Sequence, residues 1–209
     1  MKFLNKKSMK RLIIISVFAF GYLTSCFAQD IQLPSPKRTG GKPLIDALNE
    51  RQSNRDFSDK ELSMQTLSDL LWAAYGFNRD TKRTVPSSQD RQEIDLYVFL
   101  KSGVYFFDAK NQQLILKVPG NNHAKTGSQD FVETAPVHVV YVANLDKASS
   151  RDAALTDCGF IGQNIYLFCA SEGLISVVRG SVDKKSVFEL LGLSDKQEVL
   201  LAQTVGYKK

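Results

Sequence analysis

The sequence predicts an α+β domain. A run of strand patterns between Ile94 and Ala143 has the look of a meander, helical patterns lie on both sides of it, and the longest of these, Asp152 to Glu172, is apolar nearly all the way round. At 209 residues the chain is long enough for one domain, or at most two small ones, and its 43% hydrophobic content is ordinary for a globular core.

Residues 1–28 read as an export signal. Lys2, Lys6, Lys7, Lys10 and Arg11 precede or open an apolar run from Leu12 to about Leu23, and small residues follow. The run is short for a membrane span. Leu23-Thr24-Ser25-Cys26 is similar to a bacterial lipobox, which would leave a lipidated Cys26 tethering the domain to a membrane; Cys26-Phe27-Ala28 instead offers cleavage before Gln29; an uncleaved anchor is the third case. All three place the folded domain outside the cytoplasm, in the periplasm or on a membrane. The segment holds five basic and no acidic residues, so the net charge of +5 belongs to it and the remainder is balanced. A balanced domain gives no electrostatic footprint for nucleic acid.

Residues 29–42, with two prolines and adjacent glycines, form a linker or arm, and 43–209 the folded domain. Pro43 suits the first turn of a helix whose apolar face is Leu44, Ile45 and Leu48. It ends at Arg51-Gln52-Ser53-Asn54-Arg55-Asp56-Phe57, where two arginines four apart can point the same way from a helical turn and grip an oxyanion. Alone, the stretch reads first as a solvated basic turn. Ser63 is an N-cap for a helix over Met64–Tyr75, with Leu67, Leu70, Leu71 and Ala74 at helical spacing and Gly76 ending it; Trp72 reads as core. Arg83 to Gln92 is a polar, proline-punctuated loop whose hydroxyls could meet a planar ligand.

Strands follow at Ile94–Leu100, Val104–Phe107, Leu114–Val118 and Val137–Ala143. His123, in the polar loop from Asn121 to Phe131, reads as a surface residue, and His138, inside a strand, as a satisfied structural one. The helix over Asp152–Glu172 would be buried on every side, by its own domain and a partner subunit; Gly159 and Gly162 permit close backbone contact, and Gln163 and Asn164 need partners. Cys158 and Cys169 sit about 16 Å apart on one helix face, too far to bridge, and read as core. Gly173 caps this helix. A strand over Leu174–Val178 leads to Arg179-Gly180-Ser181, where backbone can approach a ligand closely. A helix over Lys184–Leu191, a strand over Val199–Val205 and the terminal Lys208 and Lys209 complete the chain.

The sequence contains no dinucleotide-binding glycine motif after a strand, no phosphate-binding loop, no HExxH, no CxxC and no GxSxG; neither hydrolase chemistry nor a metal site has a residue set. The order of elements from Pro43 to Tyr207 instead resembles the FMN-dependent nitroreductase family. The resemblance is carried by Arg51 to Phe57, Leu70-Leu71-Trp72-Ala73-Ala74-Tyr75-Gly76, Arg83-Thr84-Val85-Pro86-Ser87-Ser88, Asp157-Cys158-Gly159 with Gln163 to Leu167, and Gly173-Leu174 through Gly180. The second and third pieces look most like the branch with azoline-forming dehydrogenase domains of the SagB type.

The resemblance implies a nitroreductase-like fold, with a central mixed, mainly antiparallel sheet flanked by helices, in an intertwined homodimer with FMN at the interface. Arg51 and Ser53, with Gln52 between them, would serve the phosphate and ribityl end, and Arg55 the pyrimidine edge. Pro86, Ser87, Ser88 and Asp90 would come from the other subunit. Val178, Gly180 and Ser181 would line the ring, and Lys208 or Lys209 would complete the phosphate site. The implied activity is transfer of hydride or electrons from NAD(P)H or another donor, through FMN, to a small acceptor such as a nitroaromatic or quinone, with no side chain acting as acid or base. Two alternatives are an exported flavin- or ligand-binding lipoprotein without turnover and an azoline-type dehydrogenase acting on a modified peptide. Many relatives have Pro-x-Glu-Gly where this chain has Val178-Arg179-Gly180-Ser181, and Asn where it has Asp90.

Overall fold

The computed structural model describes residues 29–209; the export signal and Cys26 lie outside them. In chain order the elements are β1 (Ile31–Gln32), α1 (Leu44–Glu50), α2 (Met64–Tyr75), β2 (Ile94–Leu100), β3 (Gly103–Asp108), β4 (Gln113–Pro119), β5 (Val137–Asn144), α3 (Arg151–Glu172), β6 (Ile175–Arg179), α4 (Lys184–Leu191) and β7 (Gln197–Gly206), with short 3-10 turns at Ser88–Asp90 and His123–Thr126. The strands form one sheet in the order β1-β4-β3-β2-β5-β7-β6, and every strand pairing in it is antiparallel. Among the described residues the one parallel contact is the isolated bridge between Ser53 and Ser176.

Alternation along the strands sorts the core into two layers. Leu96 and Val98 of β2, with Val139 and Tyr141 of β5, face Leu67, Leu70 and Leu71 of α2 and Cys158, Ile161, Ile165 and Cys169 of α3. Tyr97, Phe99, Val140 and Val142 face the other way, onto Val187 of α4 and Leu193. The helix ends follow local chemistry. Ser63 Oγ accepts from Thr66 N at 3.0 Å, Ser150 Oγ accepts from Ala153 N at 3.1 Å, and Gly173 and Gly192 close α3 and α4 in the left-handed region.

Two apolar helix surfaces stay open within the single chain. The apolar face of α1 is exposed, with Leu44 at 62%, Ile45 at 66% and Leu48 at 46%; only Ala47 turns inward, because α1 packs on α3 by its opposite side. In α3 this chain itself buries one stripe, and Phe160 stays 42% exposed. Gly159 likewise faces open space, whereas Gly162 is pressed on the sheet, where a Cβ would lie 3.3 Å from both Gln203 Oε1 and Val178 Cγ2. Of the two polar residues beside it, Asn164 donates to Ala73 O at 2.9 Å.

The arm over 29–42 is laid along the domain. Ile31 and Gln32 pair with Leu114 and Gln113 of β4, Ser68 Oγ donates to Pro34 O, Lys37 N donates to Asp69 and Lys42 N to Ser171 Oγ. No described helix is long and apolar enough to cross a membrane. Leu70 is fully buried between α2 and the sheet. Leu70→Ala should therefore cost about 2–5 kcal/mol, read as a lower denaturation midpoint with an unchanged slope.

Candidate functional site

The stretch from Arg51 to Phe57 is extended, not helical. Helix α1 stops at Glu50, and Arg51 already has φ −56° and ψ 120°. Tertiary contacts then hold the segment straight: Asn54 N donates to Ser176 O at 3.0 Å, Lys209 N donates to Asp56 O at 3.0 Å, and Phe57 bridges Lys208. The two arginines consequently serve different cavities. Arg51, Gln52 and Lys208, with Tyr166 and Ser176, line one of about 490 Å³. Arg55 and Lys209, with Gln129, Phe131 and Thr134, line another of about 520 Å³. Among the described residues none of these four cations makes an ion pair.

Tyr166 ties the region together. Val178 N donates to its hydroxyl at 2.8 Å, so the phenolic hydrogen is free to donate to Ser53 Oγ, also at 2.8 Å. The Arg51 guanidinium lies 5.2 Å from its ring centroid. Below it, Gln203 is buried and donates to Ser176 Oγ at 2.9 Å and Gly162 O at 3.3 Å while accepting from the Tyr141 hydroxyl. This network fixes α3 over β6 and β7.

Past Val178 the chain buries Arg179, only 4% exposed and without a carboxylate partner. Burial pulls its guanidinium down to about 10. Its Nη atoms donate to Thr126 O, Thr126 Oγ1 and Gln129 Oε1, while Nε has no partner. Gln129 Nε2 donates on to Ser181 O at 3.3 Å, so Arg179 holds the 126–131 loop against the Gly180-Ser181 turn. His123 is buried, not a surface residue, because its ring meets that of His138 edge-on at 4.6 Å. His138 donates from Nε2 to Val132 O at 2.8 Å, leaving Nδ1 to accept from Thr204 Oγ1 at 3.0 Å. Burial depresses both rings, His123 to about 4 and His138 well below its ordinary value.

Pro86, Ser87, Ser88 and Asp90 lie elsewhere. Their loop is tightly specified: Gln92 N donates to Ser87 Oγ at 3.0 Å, Ser88 N to Asp157 Oδ2 at 3.0 Å, Gln92 Nε2 to Thr81 O at 2.7 Å, and Lys82 pairs with Asp90. Gln89, Asp90 and Gln92 all have positive φ, at 54°, 57° and 50°. Three left-handed non-glycine residues cost about 1–2 kcal/mol each, strain of the kind that collects at functional sites. Asp157 anchors this loop near one end of α3, whereas Tyr166 lies about 14 Å further along the same helix. One chain therefore does not bring these residues to Arg51, Arg55 and Gly180.

The family model "Nitroreductase family" matches residues 48–207. The chain belongs to the nitroreductase family. A Methanocaldococcus jannaschii protein carrying a nitroreductase name is 28% identical over 196 residues, 86% of this chain and 96% of its own length. A crystal structure from Ralstonia eutropha JMP134, also described as a nitroreductase, is 37% identical with a TM-score of 0.82, covering 89% of this chain and 92% of that one. The E. coli microcin synthetase McbBCD complex shares the fold at 18% identity, with a TM-score of 0.66 over 99% of this chain and 95% of its matched chain. Membership makes the chain an oxidoreductase of a flavin-dependent class.

Within this nitroreductase-family fold, sequence reasoning missed Tyr166, Arg179 and the buried Glu93 beside Asp157. Tyr166 was marked only by its place beside Gln163 and Asn164, polar residues in an otherwise apolar helix. Arg179 was marked by a charge after three apolar strand residues.

Tyr166→Phe should cost about 1–3 kcal/mol in urea unfolding, because Val178 N–H loses its acceptor. The histidines set an acid limit. Both have folded values below the unfolded one, so the unfolded chain binds more protons and stability falls as pH drops from about 6.5 toward about 4. Unfolding across that window should show a slope of up to about 1.4 kcal/mol per pH unit for each ring, and His123→Phe should remove one share.

Proposed function

We propose that this chain is an exported, homodimeric FMN oxidoreductase. The observation that carries the reading is the set of four unpaired cations, Arg51 and Lys208 on one cavity, Arg55 and Lys209 on the other, joined by one extended segment. An anionic phosphate fits the first pair and the polar edge of a flavin the second. Gly180 fits the same group. Its φ is not positive and a Cβ on it would meet nothing within 4 Å, so neither conformation nor packing within this chain requires glycine, and the space above it can admit a flat ring.

Arg51 and Lys208 hold the phosphate, with Gln52 and Ser53 toward the ribityl chain. Arg55 keeps positive charge where negative charge collects on reduction, and Val178, Gly180 and Ser181 line the ring. Pro86, Ser87, Ser88 and Asp90 reach the site of the partner subunit. The exposed Leu44, Ile45, Leu48 and Phe160 supply apolar surface for that dimer. FMN held by these residues would supply the redox chemistry that links NAD(P)H or another hydride donor to a nitroaromatic or quinone acceptor. No described cluster of His, Cys, Asp or Glu could hold a metal ion. The export signal places the enzyme in the periplasm or on a membrane through Cys26, a reading that N-terminal mass spectrometry of the mature protein tests.

Purified protein should be yellow or become so with FMN, and a donor screened without oxygen should bleach it. Protein that stays colourless with added FMN sinks the flavin reading; yellow protein that no donor bleaches is a binder without turnover. Arg51→Ala should weaken FMN retention by about tenfold or more in a fluorescence titration, the worth of a charged hydrogen bond.

A further inference from the structure

A buried acid pair lies directly beneath the strained loop. Glu93 is fully buried where β2 begins, its carbonyl accepting from Asn144 N at 2.8 Å, yet neither carboxyl oxygen has a donor from the protein. Asp157 of α3 is 2% exposed and its Oδ2 is committed to Ser88 N. The two side chains are in hydrogen-bond contact with each other. Two ionised carboxylates in buried contact repel; with one proton between them the contact becomes an O–H···O bond, and Asp157 Oδ2 still accepts from the Ser88 amide.

The surroundings favour the singly protonated pair. Arg91, on the loop, is the cation that acts on Glu93, but its guanidinium is spent on Gln89 Oε1 and Lys147 O. From α2 the facing group is Tyr75, and from α3 Cys158; burial favours the neutral form of both. The loop's other outside anchors, Thr81, Lys82, Arg83, Lys147 and Ser149, all lie outside helices, so Asp157 is its one anchor on a helix.

We infer that Glu93 and Asp157 share a single proton, and that this pair is the positioning device that holds the Pro86–Gln92 loop in its left-handed geometry for the partner subunit's flavin. The part played toward flavin rests on the function proposed above; the shared proton does not. When the pair loses its proton to solvent, the second negative charge drives the carboxylates apart, Ser88 N loses its acceptor, and the strained turn relaxes. The burial-raised Glu93 carboxyl gives the sign: the folded state holds a proton that the unfolded state releases, so the pair's contribution declines as pH rises above the ordinary carboxylate range.

Three readouts on wild type and Glu93→Gln test this. The glutamine keeps an N–H for Asp157 and cannot ionise. Infrared spectra of wild type just above the ordinary carboxylate range should show a protonated carboxylic acid band, shifted in heavy water, missing from Glu93→Gln and lost as pH rises further. Hydrogen exchange, corrected for its intrinsic pH dependence, should show protection of residues 86–92 falling about tenfold as pH rises above the ordinary carboxylate range in wild type and staying level in the variant. FMN retention should follow the same two profiles. Absence of the band, or parallel exchange profiles in the two proteins, overturns the pair; retention that ignores pH while exchange follows it overturns the link to the cofactor. If neither protein takes up FMN, the proposed function fails, and the spectra and exchange still decide the pair. Should Glu93→Gln not fold, the wild-type band and its loss at the pH where protection drops decide alone.

Discussion

The amide of Gln203 is a fully buried polar group, and its partners fix α3 on the sheet. It can bond only if Gly162 lies close above β7 and Ser176 beside it. A slide of α3 by one residue would break the bond to Gly162 and drive a side chain into the space a glycine leaves. The same registration sets Tyr166 against Val178 and Ser53 near one end of the helix and Asp157 against Ser88 near the other. One buried amide thus fixes the spacing between the cation-lined cavities and the strained loop.

Charge in this domain is handled in two ways. At the surface Arg51, Arg55, Lys208 and Lys209 stay solvated, with no protein anion neutralising them, and are available to a ligand. Inside, Arg179 keeps a full charge among carbonyl, hydroxyl and amide oxygens, and both histidines beside it are held neutral. A buried cation among dipoles, rather than in an ion pair, fixes a loop without placing a carboxylate behind the Gly180 turn.

Much of the fold was legible because it is encoded locally. Ser63, Gly173 and Gly192 mark helix ends by chemistry that needs only neighbours in sequence, and the alternation from Leu96 to Leu100 sorts one strand's faces directly. What was misread depends on contacts distant in sequence. Arg51 to Phe57 is extended because Ser176 and the C-terminal tail hold it, so a four-residue spacing that suits a helix instead separates two cavities. His123 is buried because His138 receives it. Leu44, Ile45 and Leu48 have the spacing of a core face, but spacing cannot say whether the surface that covers a face belongs to the same chain.

Both ends of the sheet are closed by short pieces of extended chain. The two residues of β1 cover β4, and Ser53 with Asn54 runs beside β6, taking up the Ser176 carbonyl. A naked outer strand is a template on which another copy's backbone can polymerise. With each rim occupied by a different part of the same chain, the sheet offers little continuous ladder for such growth, and the surfaces left for a second molecule are side-chain surfaces on helices. Orderly pairing is thereby separated from runaway stacking: two copies can meet through α1 and α3 without either sheet being extended.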